Sequence, residues 1–176
     1  MGKLGILYLF VFFFAVTNIK AQQCDIIYVS PSGTSSAGSG TSTNPANLNY
    51  AINNLVTANS NILWLADGTY NLSMSLDIDN DLTIEGGFDP ITWIKSNYNS
   101  TLILKDASNP LTSPDRIVAI QSQNKTNFRL QDINVEVIDA SGTSVSTYAL
   151  YLNSSSDYVL CRSSFSAGNA TDGIDG

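Results

Sequence analysis

The segment IVAIQSQNKTNFRLQDINVEV, residues 117–137, can be laid without a gap over TYALYLNSSSDYVLCRSSFSA, residues 147–167, at an offset of 30. Apolar and amide positions coincide, although only two of the aligned pairs are identical. The pairs that carry the pattern are Val118/Tyr148, Ala119/Ala149, Ile120/Leu150, Gln123/Asn153, Asn127/Asp157, Phe128/Tyr158, Leu130/Leu160 and Val135/Phe165. A fixed period filled with short alternating strands predicts a solenoid.

Each repeat unit contains three strand-like pieces and then a loop rich in Ser, Gly and Thr. In the first unit the pieces are 118–122, 128–131 and 133–137. Three strands per turn predict an all-β protein, a right-handed parallel β-helix with three sheets, in which equivalent side chains stack in ladders about 4.8 Å apart. We expect Phe128 over Tyr158 to be one such ladder.

The residues before the repeat predict a strand and a capping helix. Residues 25–30 alternate as a strand, and residues 31–43 form a polar loop. Asn44 before Pro45 fits an N-cap followed by proline at the first helical position. Apolar residues then recur at helical spacing, at Leu48, Ala51, Ile52, Leu55 and Val56. A helix of about 12 residues is therefore expected to cover one end of the strand stack.

From residue 62 the apolar period changes to two, which marks the coils of the solenoid. An irregular stretch, residues 89–100, interrupts them.

The predicted division is a signal peptide (1–21), an N-terminal strand, loop and capping helix (22–61), the β-helix coils (62–167) and a Gly-rich loop (168–176). A solenoid needs its last coil protected, and no strand or cap follows that loop, so we expect a fragment of a longer protein.

The N-terminus has the pattern of a secretory signal peptide. Lys3 precedes an apolar stretch, residues 4–16, which fits an export signal and is shorter than the roughly 20 residues of a membrane span. Cleavage is expected after Ala21, which predicts a secreted or cell-surface protein with no membrane span after signal removal. A retained anchor is the alternative.

Charge and cysteine content exclude some partners. Loss of residues 1–21 leaves six basic and fifteen acidic residues, a formal charge of −9. An acidic chain without a basic cluster binds polyanions poorly, so no nucleic acid partner is expected. Cys24 and Cys161 have neither metal nor redox spacing; they could form one disulfide or remain two separate thiols.

Several motifs together resemble a known superfamily. They are Tyr28-Val29-Ser30-Pro31-Ser32-Gly33, Asn44-Pro45, Leu48-x-x-Ala51-Ile52, Leu63-x-Leu65-x-x-Gly68-x-Tyr70 and Leu82-x-Ile84-x-Gly86-Gly87-Phe88. The chain resembles the N-terminal part of secreted bacterial proteins of the pectin-lyase-like β-helix superfamily and is similar to large surface proteins of Bacteroidetes. The resemblance implies the fold and leaves the function open, because the superfamily includes lyases, hydrolases and adhesins.

The sequence contains no recognisable catalytic constellation. The absence of histidine removes His-based triads, bases and metal sites. Lyases of the superfamily use an Arg or Lys base with carboxylate-bound calcium, and its hydrolases use paired Asp residues. Arg162 aligns with Asp132 at the 30-residue offset, which predicts an ion pair between coils contributing at most about 1 kcal/mol if exposed. No catalytic residue is therefore assigned.

Two groups of residues are candidates for ligand binding. Asp77, Asp79 and Asp81 alternate as in a calcium loop but lack the Gly and Glu of an EF-hand; a solvated face is the alternative reading. Trp93 and Tyr98 lie in the irregular stretch and could stack on sugar rings or pack in the loop. Calcium is the one candidate ion, and no organic cofactor is expected.

The preferred interpretation is a non-catalytic β-helix scaffold, secreted or on the cell surface, in adhesion or glycan binding. The candidate partner is an extracellular polysaccharide or surface glycan. One alternative is a fragment of a polysaccharide lyase or glycoside hydrolase whose active groove lies beyond Gly176. The other is a structural stalk.

Overall fold

The structure of the chain is a computed structural model that describes residues 26–173. The predicted signal peptide (1–21), Cys24 and the last three residues lie outside the described residues. In chain order the elements are β1 (Ile26–Thr34), α1 (Leu48–Tyr50) with a π-helical turn (Ala51–Leu55), β2 (Ile62–Ala66), β3 (Gly68–Leu72), β4 (Leu76–Asp77), β5 (Thr83–Phe88), β6 (Thr101–Lys105), β7 (Arg116–Gln123), β8 (Arg129–Gln131), β9 (Asn134–Val137), β10 (Ser146–Asn153), β11 (Val159–Cys161) and β12 (Ser164–Ser166).

The strands form three parallel sheets, which we call the first, second and third walls. The first wall has the order β1-β2-β5-β8-β11, the second β3-β6-β9-β12 and the third β4-β7-β10. The chain visits the walls in the same order on every turn, so coil 1 is β2–β4, coil 2 is β5–β7, coil 3 is β8–β10 and coil 4 contains β11 and β12. The described residues thus form a nearly all-β parallel solenoid of about four turns, which confirms the predicted fold class.

The step from coil 3 to coil 4 has the register that the repeat predicts. Leu130 pairs with Leu160 in the first wall, and Val135 pairs with Phe165 in the second. In the third wall the same 30-residue offset relates β7 of coil 2 to β10 of coil 3. The rings of Phe128 and Tyr158 stack with centroids 5.4 Å apart. The predicted ladder is therefore confirmed.

The core is a set of apolar ladders that run along the solenoid axis. In the first wall Ile27, Leu63, Ile84 and Leu130 lie in register, and all four are buried. Burial of apolar surface is the main stabilising term in folding, so each ladder ties every coil to the next. The last member, Leu160, is 41% exposed because it packs against coil 3 alone among the described coils.

The capping helix is shorter and begins later than predicted. Asn47, not Asn44, is the N-cap: its side-chain oxygen accepts hydrogen bonds from the backbone nitrogens of Asn49 at 3.0 Å and Tyr50 at 3.4 Å. The prediction of Asn44 was wrong because the residues after it lie extended against β1. The backbone nitrogen of Thr34 donates to Pro45 at 3.0 Å, and that of Asn47 donates to Thr34 at 2.8 Å.

The helix nevertheless packs where the sequence places it. Leu48 and Ala51 are buried in the main core, and Ile52, Leu55 and Val56 pack against that core. Gly33 permits the approach of the extended segment, because a Cβ there would lie 2.0 Å from the carbonyl oxygen of Ala46. The apolar side of the helix is thereby shielded from water.

Lys105 is an inward-facing exception in β6. It lies between Leu72 and Val137 in the second-wall register, and its side chain is fully buried. Its Nζ donates to the backbone carbonyls of Asp106 at 2.7 Å and Ser108 at 2.6 Å, and lies 3.3 Å from the carboxylate of Asp106. The aliphatic stem fills the core while these oxygens satisfy the ammonium group.

Candidate functional site: a polar cleft beside the insertion loop

Residues 89–100 form a structured loop between β5 and β6, which we call the insertion loop. Asp89 begins it: its Oδ1 accepts hydrogen bonds from the backbone nitrogens of Ile91 at 3.0 Å and Thr92 at 2.7 Å. These bonds lower the pKa of the Asp89 carboxyl. The backbone nitrogen of Ser96 donates to Gly87 at 3.0 Å, which returns the loop to the edge of β5.

Trp93 anchors the insertion loop to the first wall. Its side chain is only 8% exposed, with its ring centroid 4.7 Å from that of Tyr28. Its Nε1 donates to the carbonyl of Ser42 at 3.0 Å. Beside it, the rings of Trp64 and Phe88 stack with centroids 4.4 Å apart, so Trp64 packs in the same aromatic cluster. Trp93 thus has little surface to offer a sugar ring.

Tyr98, in contrast to Trp93, is almost fully exposed to solvent. Its side chain is 98% exposed, and it lines a cleft of about 240 Å³ between the insertion loop and the outer surface of coils 2 to 4. The other lining residues are Gly87, Lys95, Ser96, Asn97, Asn99, Ser100, Thr101, Asp132, Asn134 and Arg162. Of the two aromatic residues predicted for glycan stacking, Tyr98 is therefore the one with a free ring face.

A network of charged groups forms one side of the cleft. Arg162 holds Asp132 with two hydrogen bonds, from Nε at 2.5 Å and from the terminal guanidinium nitrogen at 2.7 Å, which confirms the predicted ion pair between coils. Lys95 contacts the same Asp132 carboxylate and lies 2.5 Å from Glu85. Asp132 therefore joins coil 3, coil 4 and the insertion loop.

Amide groups extend this network along the first wall. Gln131 donates through Nε2 to Glu85 and to Asp132, both at 3.0 Å, and accepts a 2.7 Å hydrogen bond from Arg129 Nε. Three of the six basic residues outside the predicted signal peptide meet here, Lys95, Arg129 and Arg162. The repeat predicted one pair of this network, and the contacts of Lys95 and Glu85 were missed.

Asp132 and Arg162 favour their charged forms. The hydrogen bonds of the Arg162 guanidinium, with a further contribution from Lys95, hold the pKa of Asp132 well below its usual range. In return, Asp132 raises the pKa of Arg162. A guanidinium held protonated in this way can donate hydrogen bonds to a ligand, but it is poorly suited to accept a proton.

Each of the three predicted calcium residues contacts a different donor group from the next turn of the solenoid. The Asp77 carboxylate accepts from Gln121 at 2.6 Å, as part of a longer amide chain on the third wall. Asp79 pairs with Lys125 at 2.6 Å, which lowers the pKa of Asp79. Within residues 26–173 no three His, Cys, Asp or Glu side chains lie close enough together to hold a metal ion.

Asp81 completes this acidic run at the turn before β5. It has a left-handed backbone, with φ of 60°, and its carboxylate accepts from Asn127 at 2.7 Å. Asn127 and Asp157 have the same backbone conformation, with φ of 58° and 52°. Asn and Asp tolerate this region best among side-chain-bearing residues, which explains their recurrence at this corner.

No protein-family model, curated protein or solved structure matches this chain. Among the described residues, no helix has the length and apolar character needed to cross a membrane.

Proposed function

We propose that this chain is a secreted or cell-surface β-solenoid scaffold that binds a glycan in the polar cleft without turning it over. The observation that carries the proposal is the exposed ring of Tyr98 beside amide and guanidinium groups. Sugars present C–H faces that stack on aromatic rings and hydroxyls that bond to amides and charged donors. Such a combination suits a pyranose ring.

The polar groups of the cleft support binding more than acid or base catalysis. Arg162 and Lys95 each contact a carboxylate, and Asp132 lies between them. A general base near neutral pH needs a pKa close to the working pH. The shifts at Asp132 and Arg162 move both groups away from it.

Export is supported by the sequence alone. The predicted signal peptide and the acidic, Asn- and Ser-rich composition are typical of extracellular β proteins. Expression with the native N-terminus in a bacterial host and N-terminal sequencing of exported protein should give Gln22 as the first residue. Retention of residues 1–21 in the membrane fraction would favour the anchored alternative.

Binding is tested by titrating the protein on an array of plant, bacterial and animal glycans and comparing Tyr98→Ala with the wild type. Loss of one stacking face should weaken binding to the cleft about tenfold. Ile91→Ala is the matched control, because Ile91 is an exposed side chain of the same loop that does not line the cleft.

The proposal fails if no glycan binds, or if Tyr98→Ala and Ile91→Ala behave alike. Incubation with uronate polysaccharides tests turnover in the same preparation. Unsaturated products that accumulate reproducibly and require calcium would replace binding with lyase activity.

A further inference from the structure

The outer surface of the third wall carries a second group of aromatic and polar side chains, which we call the tyrosine patch. Its members are Arg116, Gln121, Gln123, Tyr148, Tyr151 and Asn153. Tyr148 and Tyr151 are three residues apart on β10, and their ring centroids lie 5.5 Å apart at an interplanar angle of 72°. Neither residue belongs to the polar cleft.

Arg116 completes the aromatic part of the patch. The guanidinium carbon of Arg116 lies 5.3 Å from the ring centroid of Tyr151, a cation–π distance. One terminal nitrogen donates to the carbonyl of Pro114 at 3.1 Å, which fixes the side chain. Val118, the register partner of Tyr148, is fully buried. The rings therefore lie on a strand-paired part of the wall, above a buried side chain.

Arg116 also retains hydrogen-bonding capacity. Within residues 26–173 its Nε is the only buried side-chain nitrogen or oxygen without a hydrogen-bond partner. An unpaired buried donor is unfavourable, because it loses water without gaining an acceptor. A ligand oxygen or an ordered water that reached this nitrogen would remove that cost.

A line of amides runs beside the rings. Gln123 donates through Nε2 to Gln121 Oε1 at 3.4 Å, and Gln121 donates to Asp77 at 2.6 Å. These bonds orient both amides, and no donor among residues 26–173 reaches the carbonyl oxygen of the exposed Gln123. In the register, Tyr151 lies directly over Gln121, and Asn153 lies over Gln123. Ring faces and directed amides thus lie side by side on the outer surface of the third wall.

We propose that the tyrosine patch is a second glycan-binding site, selective for uncharged sugars. Tyrosine rings supply stacking faces, and the amides supply donors and acceptors for hydroxyl groups. Arg116 is the charged member of the patch. Asp77, which accepts the hydrogen bond of Gln121, carries the opposite charge, so we expect no preference for an anionic ligand. The inference goes beyond the proposed function, because it concerns another wall and does not require the polar cleft to bind.

The experiment uses the full chain carrying Tyr98→Ala, so that the polar cleft contributes little. The probes are neutral gluco-, manno-, galacto- and xylo-oligosaccharides, measured by array and then by calorimetry with and without added salt. At least one neutral series should bind with an affinity that salt leaves unchanged. Adding Tyr148→Ala should weaken it about tenfold, and Gln123→Met should weaken it severalfold.

Tyr158→Ala is the matched control, because Tyr158 has nearly the same exposed fraction as Tyr148 but stacks on Phe128. It should leave affinity unchanged, and melting curves verify that every variant is folded. The inference is overturned if the Tyr98→Ala protein binds no neutral sugar, if it binds only anionic ones in a salt-dependent manner, or if Tyr148→Ala matches Tyr158→Ala. None of these results decides whether Tyr98 itself binds glycan.

Discussion

Coils 3 and 4 are regular, whereas coil 2 is interrupted, and the two regions use their residues differently. From coil 3 to coil 4 the offset is 30 residues in the first and second walls, and the same offset relates β7 of coil 2 to β10 of coil 3 in the third wall. In the first wall, by contrast, Ile62 pairs with Thr83 after 21 residues, and Thr83 pairs with Arg129 after 46. Coil 2 absorbs its extra residues at the corners, in the insertion loop and in residues 106–115.

The inward ladders are nevertheless continuous through both regions. Ile84 of the interrupted coil and Leu130 of the regular one are register partners, and both are fully buried. A parallel ladder requires correct strand pairing but sets no limit on the length of the corner between strands. Extra residues can therefore carry a cleft without disturbing the core, and the polar cleft lies beside such an addition.

The largest effect on stability should come from a substitution in the core of the regular region, at Phe128. Phe128→Ala removes a fully buried ring and should lower the free energy of unfolding by about 3–5 kcal/mol. Its ladder partner Tyr158 is exposed, so Tyr158→Ala should cost only about 1 kcal/mol. Urea denaturation measures both. Equal losses would contradict the view that, among the described coils, coil 3 is packed from both sides and coil 4 from one.

The corresponding substitution in the interrupted region is Trp93→Ala, in the insertion loop. We expect a loss of about 2–3 kcal/mol, below that of a central core ring, because the aromatic cluster of Trp93 lies outside the main core. The insertion loop should also become sensitive to limited proteolysis. Ile94→Ala, at an exposed neighbouring position, should do neither. A Trp93→Ala loop that resists protease would show that the contacts of Lys95 and Ser96 are enough to hold it.

Asp132→Asn tests the link between the two regions. The Asp132 side chain is 16% exposed, but Arg162 is 60% exposed, so solvent screening limits the expected loss at neutral pH to about 1 kcal/mol. Because folding lowers the pKa of Asp132, its stabilising contribution is complete above the unfolded pKa of about 3.9 and is lost as the pH falls below it.

The difference in stability between wild type and Asp132→Asn should thus be constant near neutrality and shrink below about pH 4. Denaturation across this range measures it. Asp79→Asn removes a more exposed ion pair and serves as the control with a smaller difference. A difference that grew on acidification would contradict the assigned direction.

Calcium should have the smallest effect. If Asp77, Asp79 and Asp81 bind the ion, they must release donors on the coil above, so millimolar calcium should raise the melting temperature by only about 1–2 °C. Asp79→Asn should abolish the increase, and Asp157→Asn should retain it. The absence of any increase in the wild type would remove the calcium prediction.

Sequence reasoning was most successful where the chain repeats. The 30-residue offset predicted the stacking of Phe128 on Tyr158 and the pairing of Asp132 with Arg162, because identical spacing in three walls makes aligned residues neighbours. It failed at the start of the helix, since Asn44 and Asn47 are both acceptable N-caps by residue type. Only the hydrogen bonds of the following residues with β1 distinguish them.

Contacts across the interrupted coils could not be predicted in this way. Gln131 reaches Glu85 across 46 residues, and Trp93 reaches Ser42 across 51. Alternation does place Tyr148 on the outer surface of its strand. The approach of Arg116 to Tyr151, however, depends on side chains that lean along the wall, which no residue spacing specifies.

The amino-acid sequence by itself determined the solenoid, because alternation decides which side chains face inward and a constant period decides which of them stack. The tertiary structure alone decided the surface. It buried Trp93 and left Tyr98 in water, although they are five residues apart in one loop. It also brought Lys95 of the insertion loop onto the Asp132–Arg162 pair that the repeat had predicted. The physical reason is that core ladders depend on local periodicity, whereas corner contacts depend on how insertions of unequal length fold back onto the walls.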